Sequence, residues 1–103
     1  MSDAGKNVIS GSFGSSTQSA SIPVFGFATL LIEGGAGTVE VQRSTDGGSS
    51  WFTVSSDGAG TAASYTTSSD VAFNGRLYES ESQVLYRLDC AWSSGAVNYR
   101  LAN

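Results

Sequence analysis

Val84-Leu85-Tyr86-Arg87-Leu88-Asp89-Cys90-Ala91-Trp92 changes character at every step. One set of alternate positions holds Val84, Tyr86, Leu88, Cys90 and Trp92; the other holds Leu85, Arg87, Asp89 and Ala91. A period of two belongs to a β-strand, whose successive side chains point to opposite faces, and the large apolar set marks the buried face. The nonapeptide lies in the longest stretch without Gly or Pro, Arg76 to Ser94, where a helix would have its best chance. Since the period even there is two and not 3.6, no segment of the chain reads as helix.

The same alternation extends in both directions. Val97, Tyr99 and Leu101 share one face and Asn98 and Arg100 the other, with Ser93-Ser94-Gly95 as a turn. The last two strands are therefore expected to form a hairpin with Arg87, Asp89, Asn98 and Arg100 on its solvent face, where a one-residue slip would bury them. Upstream, Thr38 to Ser44 puts Val39 and Val41 in and Glu40 and Gln42 out, Ser50 to Ser55 answers with Phe52 and Val54, and Thr61 to Thr67 is a weaker strand around Tyr65. Asn74-Gly75, between Val71-Ala72-Phe73 and Arg76-Leu77-Tyr78, carries the residue pair preferred in a type I′ hairpin. Residues 22–33 are the most apolar stretch, and the unbroken Leu30-Leu31-Ile32 predicts a strand covered on both faces. Pro23 has no amide for a central ladder and marks a strand start or an edge. One further short strand is expected in residues 7–14, around Val8, Ile9 and Phe13.

Seven or eight short strands with frequent turns predict an all-β fold, a single antiparallel β-sandwich of jelly-roll or immunoglobulin-like type. The 103 residues are too few for two independent cores. Residues 1–21, dominated by Ser, Gly, Thr and Gln outside the short strand, are expected to be a flexible arm, partly ordered, and residues 22–103 the β-sandwich domain. Charged residues are only 14%, and 19 Ser, 8 Thr and 13 Gly take their place. That composition approaches disorder, but 11% aromatics and a steady supply of β-branched residues supply a core.

Composition also narrows function. The net charge is −4 and the five basic residues are scattered, so no basic footprint for nucleic acid is expected. No apolar run approaches the length of a membrane span, and no secretory leader is recognisable. A single cysteine, Cys90, sits on the apolar face of its strand and reads as a small buried hydrophobe. These features suit synthesis in a reducing cytoplasm.

One motif is sharp. Ser44-Thr45-Asp46-Gly47-Gly48-Ser49-Ser50-Trp51 fills every defining position of the Asp-box, S-x-D-x-G-x-[ST]-W. Asp46 is expected to accept hydrogen bonds from amides across the turn. Gly47 and Gly48 permit the chain reversal, Ser50 returns a hydroxyl, and Trp51 packs over the loop. Asp-boxes recur once per blade in sialidase propellers, away from the catalytic centre. This chain has one box and is too short for a propeller, so Ser44, Asp46, Gly47, Gly48, Ser50 and Trp51 read as a structural hairpin clasp.

Catalytic signals are missing. There is no histidine, which removes the commonest general base and metal ligand. Glu79 and Glu81 are the only close acidic pair and read as part of a solvated loop before the Val84 strand. No enzyme activity, cofactor or metal site is expected.

Two blocks together resemble a group of small tailed-bacteriophage virion proteins. The first is Gly37-Thr38-Val39-Glu40-Val41-Gln42-Arg43-Ser44-Thr45-Asp46-Gly47-Gly48-Ser49-Ser50-Trp51; the second runs from Val84-Leu85-Tyr86-Arg87-Leu88 through Ser94-Gly95 to Asn98-Tyr99-Arg100-Leu101. The resemblance covers residues 37–103, includes Cys90, and stops at the N-terminal third. It implies a non-enzymatic structural protein of the phage particle, a head decoration or cement protein that binds and stabilises the capsid. Its implied partners are the major capsid protein and further copies of itself, a trimer in first place. Its implied location is the capsid surface of the virion, after synthesis in the host bacterial cytoplasm. Residues 1–27, including Phe13, Phe25 and Phe27, are then candidates for capsid or inter-subunit contact, with the domain's own core an equal alternative for Phe25 and Phe27. The alternative is a tail or fibre component acting as a carbohydrate-binding or host-adhesion module, with Trp92 or Tyr65 as stacking platforms. A secreted bacterial adhesion domain is a third reading, weakened by the lack of a recognisable leader.

Overall fold

Period-two alternation becomes strand wherever the chain is described. The structure is a computed structural model describing residues 7–54, 64–67 and 73–103. These form β1 (Val8–Phe13), β2 (Thr17–Gln18), β3 (Ile22–Glu33), β4 (Ala36–Ser44), β5 (Phe52–Thr53), β6 (Ser64–Thr67), β7 (Phe73–Ser94) and β8 (Val97–Ala102). The protein is all-β, with no helix among the described residues. The strands form one antiparallel sheet in the order β1-β8-β3-β7-β4-β5, with β2 also paired to β7 and β6 to β4.

A single core lies on the inner face of this sheet. Leu30 and Ile32 of β3, Val39 and Val41 of β4, Val84, Tyr86 and Leu88 of β7, and Val97 and Leu101 of β8 are all fully buried. Burying each such aliphatic side chain is worth about 1.5–3 kcal/mol. In β7 the inward set is the predicted one: Val84, Tyr86, Leu88 and Cys90 are buried and Trp92 packs against the core.

β7 organises the molecule, and a break in its register divides it in two. Pairing with β3 runs from Ile32↔Phe73 to Gly26↔Glu79 and resumes at Val24↔Val84. Two steps along β3 are thus matched by five along β7. The odd difference reverses which face points inward: Leu77 and Glu79 are buried before the break, and even-numbered residues from Val84 after it. Gly26 and Gln83 take up the irregularity with positive φ, 78° and 64°. For Gln83 this left-handed conformation is strained, since a Cβ crowds the carbonyl there.

The expected hairpin between the last two strands does not form; β8 lies between β1 and β3, and β7 is paired with β3 and β4. The segments 29–44 and 85–102 run antiparallel as one long ribbon, turning together where Gly34-Gly35 crosses Gly95. A Cβ on Gly35 would stand 2.8 Å from the Ala96 carbonyl, and one on Gly95 would stand 3.0 Å from Gly35 Cα, so the two backbones touch. The polar residues meant for the hairpin face find other partners. Arg87 Nε donates to Gln42 Oε1 (2.8 Å), Asp89 Oδ1 accepts from Gln18 Nε2 (2.8 Å), and Asn98 Oδ1 accepts from Ser12 Oγ (2.5 Å).

Three further expectations are corrected. Asn74-Gly75 is no hairpin turn: Asn74 pairs with Leu31 and Gly75 with Leu30 inside a continuous strand, because the long β3 template outweighs the local turn preference. Val71 and Ala72 lie outside the described residues, as do residues 61–63 of the Tyr65 strand. β3 is covered on one face only, with Leu30 and Ile32 buried and Leu31 half-buried. Phe52 does not share an inner face with Val54: Val54 is buried and Phe52 is 67% exposed.

Within the expected N-terminal arm, residues 1–6 are outside the described set, and β1 and β2 occupy part of the remainder. β1 pairs with β8 along its whole length, and Phe13 stacks on Tyr99 with ring centroids 4.6 Å apart. Pro23 sits exposed at the second position of β3, at the strand start that it was expected to mark.

Candidate functional site

The Asp-box closes the turn between β4 and β5. Ser44, the last residue of β4, is fully buried; its Oγ donates to Asp46 Oδ1 (2.7 Å) and accepts from the amide of Gly48 (2.9 Å). The same Asp46 oxygen accepts the Ser50 amide at 2.9 Å. Hydrogen bonds from Ser44 first, and then from Ser50, hold the Asp46 carboxyl down at about 2. Gly47 and Gly48 take φ of 75° and 100°, conformations that glycine adopts freely. Trp51 donates its indole N–H to the Gly48 carbonyl (3.1 Å) and carries the Arg87 guanidinium 4.3 Å above its ring, which ties the clasp to β7. The bonds made by Ser44, Asp46 and the Trp51 indole all close on the loop itself, so the box serves the loop.

A second cluster lies where β7 breaks register. Arg43 continues the inward series Val39, Val41 along β4 and pairs across the ladder with Tyr86. Glu79 continues the inward series of Leu77 on β7 and is 5% exposed. Arg43 Nε and Nη2 donate to the two Glu79 oxygens at 2.9 and 2.8 Å, a two-point pairing that fixes both planes. The Tyr86 hydroxyl and the Glu81 amide each add a hydrogen bond to Glu79 at 3.0 Å. Burial alone would raise the Glu79 carboxyl, but the bonds from Arg43, Glu81 and Tyr86 outweigh it and leave it below its ordinary value. Hydrogen bonding to Glu79 also raises Arg43, and burial followed by the Glu79 charge raises the Tyr86 phenol well above its usual range. Glu81 joins from outside, with Oε1 3.3 Å from Arg43 Nη2.

This network floors a groove of about 540 Å³, open to solvent and bordered by Phe52 and Tyr78. Both border rings are largely exposed, at 67% and 61%. No known family, curated protein or solved structure matches the chain.

The expected solvated loop around Glu79 and Glu81 is corrected to a strand segment that buries Glu79 against a guanidinium. Strand periodicity points Arg43 inward after Val39 and Val41, but extended back from Val84 it turns Glu79 outward, so only the register break brings the two together. Phe13, expected at a contact surface, is a core residue at 3% exposure. Phe25 and Phe27 are on the outside, each 60% exposed. Phe27 and Tyr78 are cross-strand neighbours with centroids 5.0 Å apart, and Arg76 lies 4.9 Å over the Phe27 ring. Trp92 and Tyr65, the expected stacking platforms, pack against the core, and Trp92 donates its indole N–H to the Gly95 carbonyl at 2.7 Å. Among the described residues, the exposed large apolar side chains are instead Phe25, Phe27, Phe52 and Tyr78.

Proposed function

We propose that this chain is a non-enzymatic structural protein of a phage particle, a head decoration domain that docks as a small oligomer on the major capsid protein. The family part of that reading rests on the resemblance carried by residues 37–51 and 84–101. The structural observation in its favour is the outward face of β3 and the first half of β7. There Phe25, Phe27 and Tyr78 stand about 60% exposed, on the side of β3 and β7 opposite the buried core. At roughly 200 Å² for a whole aromatic side chain, the three present about 350 Å² of aromatic surface. That is close to half of the roughly 800 Å² that each partner gives to a standard interface. Repetition over a symmetric shell converts contacts of this size into strong avidity.

The chemistry of the groove favours holding over turnover. Its two carboxylates share one guanidinium, and Glu79 is kept ionised, so it is a poor proton donor. Undecorated phage heads incubated with the protein, then sedimented and imaged, test the proposal. Stoichiometric density at three-fold or quasi-three-fold positions supports it, together with at least a tenfold loss of binding in Phe25→Ala/Phe27→Ala at unchanged circular dichroism. Density confined to the tail tip moves the protein to the tail or fibre.

A further inference from the structure

The groove at the β7 break borders the docking face at Tyr78, but its other contents, Phe52, Arg43 and Glu81, lie outside that face. The geometry points to a binding subsite for a neutral pyranose, with Phe52 and Tyr78 as flanking rings and Arg43 and Glu81 as the hydrogen-bonding groups. The inference does not depend on where the protein sits on a particle.

Four properties lead there. The volume, about 540 Å³, falls within the range of small-molecule sites and accommodates a sugar ring with neighbours on either side. Phe52 is a large apolar residue left 67% exposed on the wall of a concavity, in a two-residue strand followed directly by the buried Val54. Such a ring offers a flat apolar face to the C–H face of a sugar. The hydrogen-bonding capacity is unequally spent. Glu79 already accepts four hydrogen bonds, the full capacity of a carboxylate, and is therefore a support. Glu81 accepts one bond from Arg43 and is 59% exposed, which leaves acceptor sites for hydroxyls. The electrostatics then choose the ligand class. Anions meet two carboxylates for one guanidinium, while a second cation meets Arg43 beside the one carboxylate with room for it. A neutral polyhydroxyl ring carries neither penalty, and its hydroxyls donate to Glu81 and accept from Arg43.

The test is a ¹H–¹⁵N titration of the intact protein with the methyl glycosides of glucose, galactose and mannose. Arginine methyl ester and N-acetylneuraminic acid serve as charged comparators. Binding of at least one neutral glycoside is expected, with a Kd on the order of 1–10 mM. Shifts should concentrate at Phe52, Thr53, Ser80, Glu81 and the Arg43 Nε–H. Phe52→Ala, at an exposed position, should weaken binding at least tenfold, and Phe25→Ala/Phe27→Ala should leave it unchanged. Glu81→Gln, which keeps an acceptor and removes the charge, should retain binding within about threefold. No response to any of the neutral glycosides, a response to the charged comparators alone, or full binding by Phe52→Ala would overturn the inference. Loss of capsid binding with sugar binding intact would count against the docking proposal only.

Discussion

The two halves of β7 share one strand and differ in what they show to solvent. After the break, the outward positions are Leu85, Arg87, Asp89 and Ala91. Arg87 is bonded to Gln42 and stacked on Trp51, and Asp89 is bonded to Gln18. Before it, the outward positions include Arg76 and Tyr78, facing Thr29 and Phe27 of β3. One half has an outer surface satisfied by its own neighbours; the other leaves aromatic rings uncovered. The difference teaches that a change of register is also a change of purpose, because it decides which side chains of a continuous strand meet water.

The largest expected effect breaks the contrast directly. Leu88→Ala, in the buried half, should cost about 2–5 kcal/mol in urea unfolding. Tyr78→Ala, which removes a larger side chain from the exposed half, should cost no more than about 0.5 kcal/mol. Equal losses would mean that the exposed rings are part of the core. Next is the junction: Glu79→Gln removes the charge that holds Arg43 and should cost about 2–3 kcal/mol. It should also flatten the acid limb of stability. The folded carboxyl lies below its ordinary 4.5, so its contribution is present above that value and is lost as pH falls beneath it. A Glu79→Gln variant whose acid unfolding tracks the parent would refute this linkage.

Smaller effects sharpen the picture. Ser44→Ala should cost about 1–2 kcal/mol, by leaving the buried end of the clasp without its acceptor for Gly48. In the same variant the Asp46 carboxyl should move from about 2 back towards 3.8 in an NMR titration. Gln83→Gly relieves the left-handed residue at the break and should raise stability by about 1 kcal/mol. A loss there would show that the Gln83 side chain holds the bend.

Legibility in the sequence followed the range of the interactions. The strand Val84–Trp92, the inward Val39 and Val41 and the Asp-box clasp were readable because neighbours within a few residues determine them. The pairing of β8 with β3 was not readable, since hairpin logic favours the adjacent strand and the crossing of Gly35 with Gly95 joins residues sixty apart. Asn74-Gly75 misled for the same reason: a local turn preference lost to a distant template. At the groove, Arg43 was legible only as the position after the alternating Val39 and Val41, and Glu79 read as part of a solvated loop. Their meeting depends on the parity change between Glu79 and Val84, which no short window contains.

The long ribbon has a consequence for how the protein comes into being. The partners of residues 29–44 lie at 85–102, so during translation the apolar Ile22–Glu33 segment leaves the ribosome well before the strands that will shield it exist. Topologies dominated by such distant pairings acquire their structure slowly and late. The nascent chain must therefore stay unaggregated through that interval, and with so few charges it is the abundant serine and glycine that keep the waiting polypeptide hydrated until the ribbon can close.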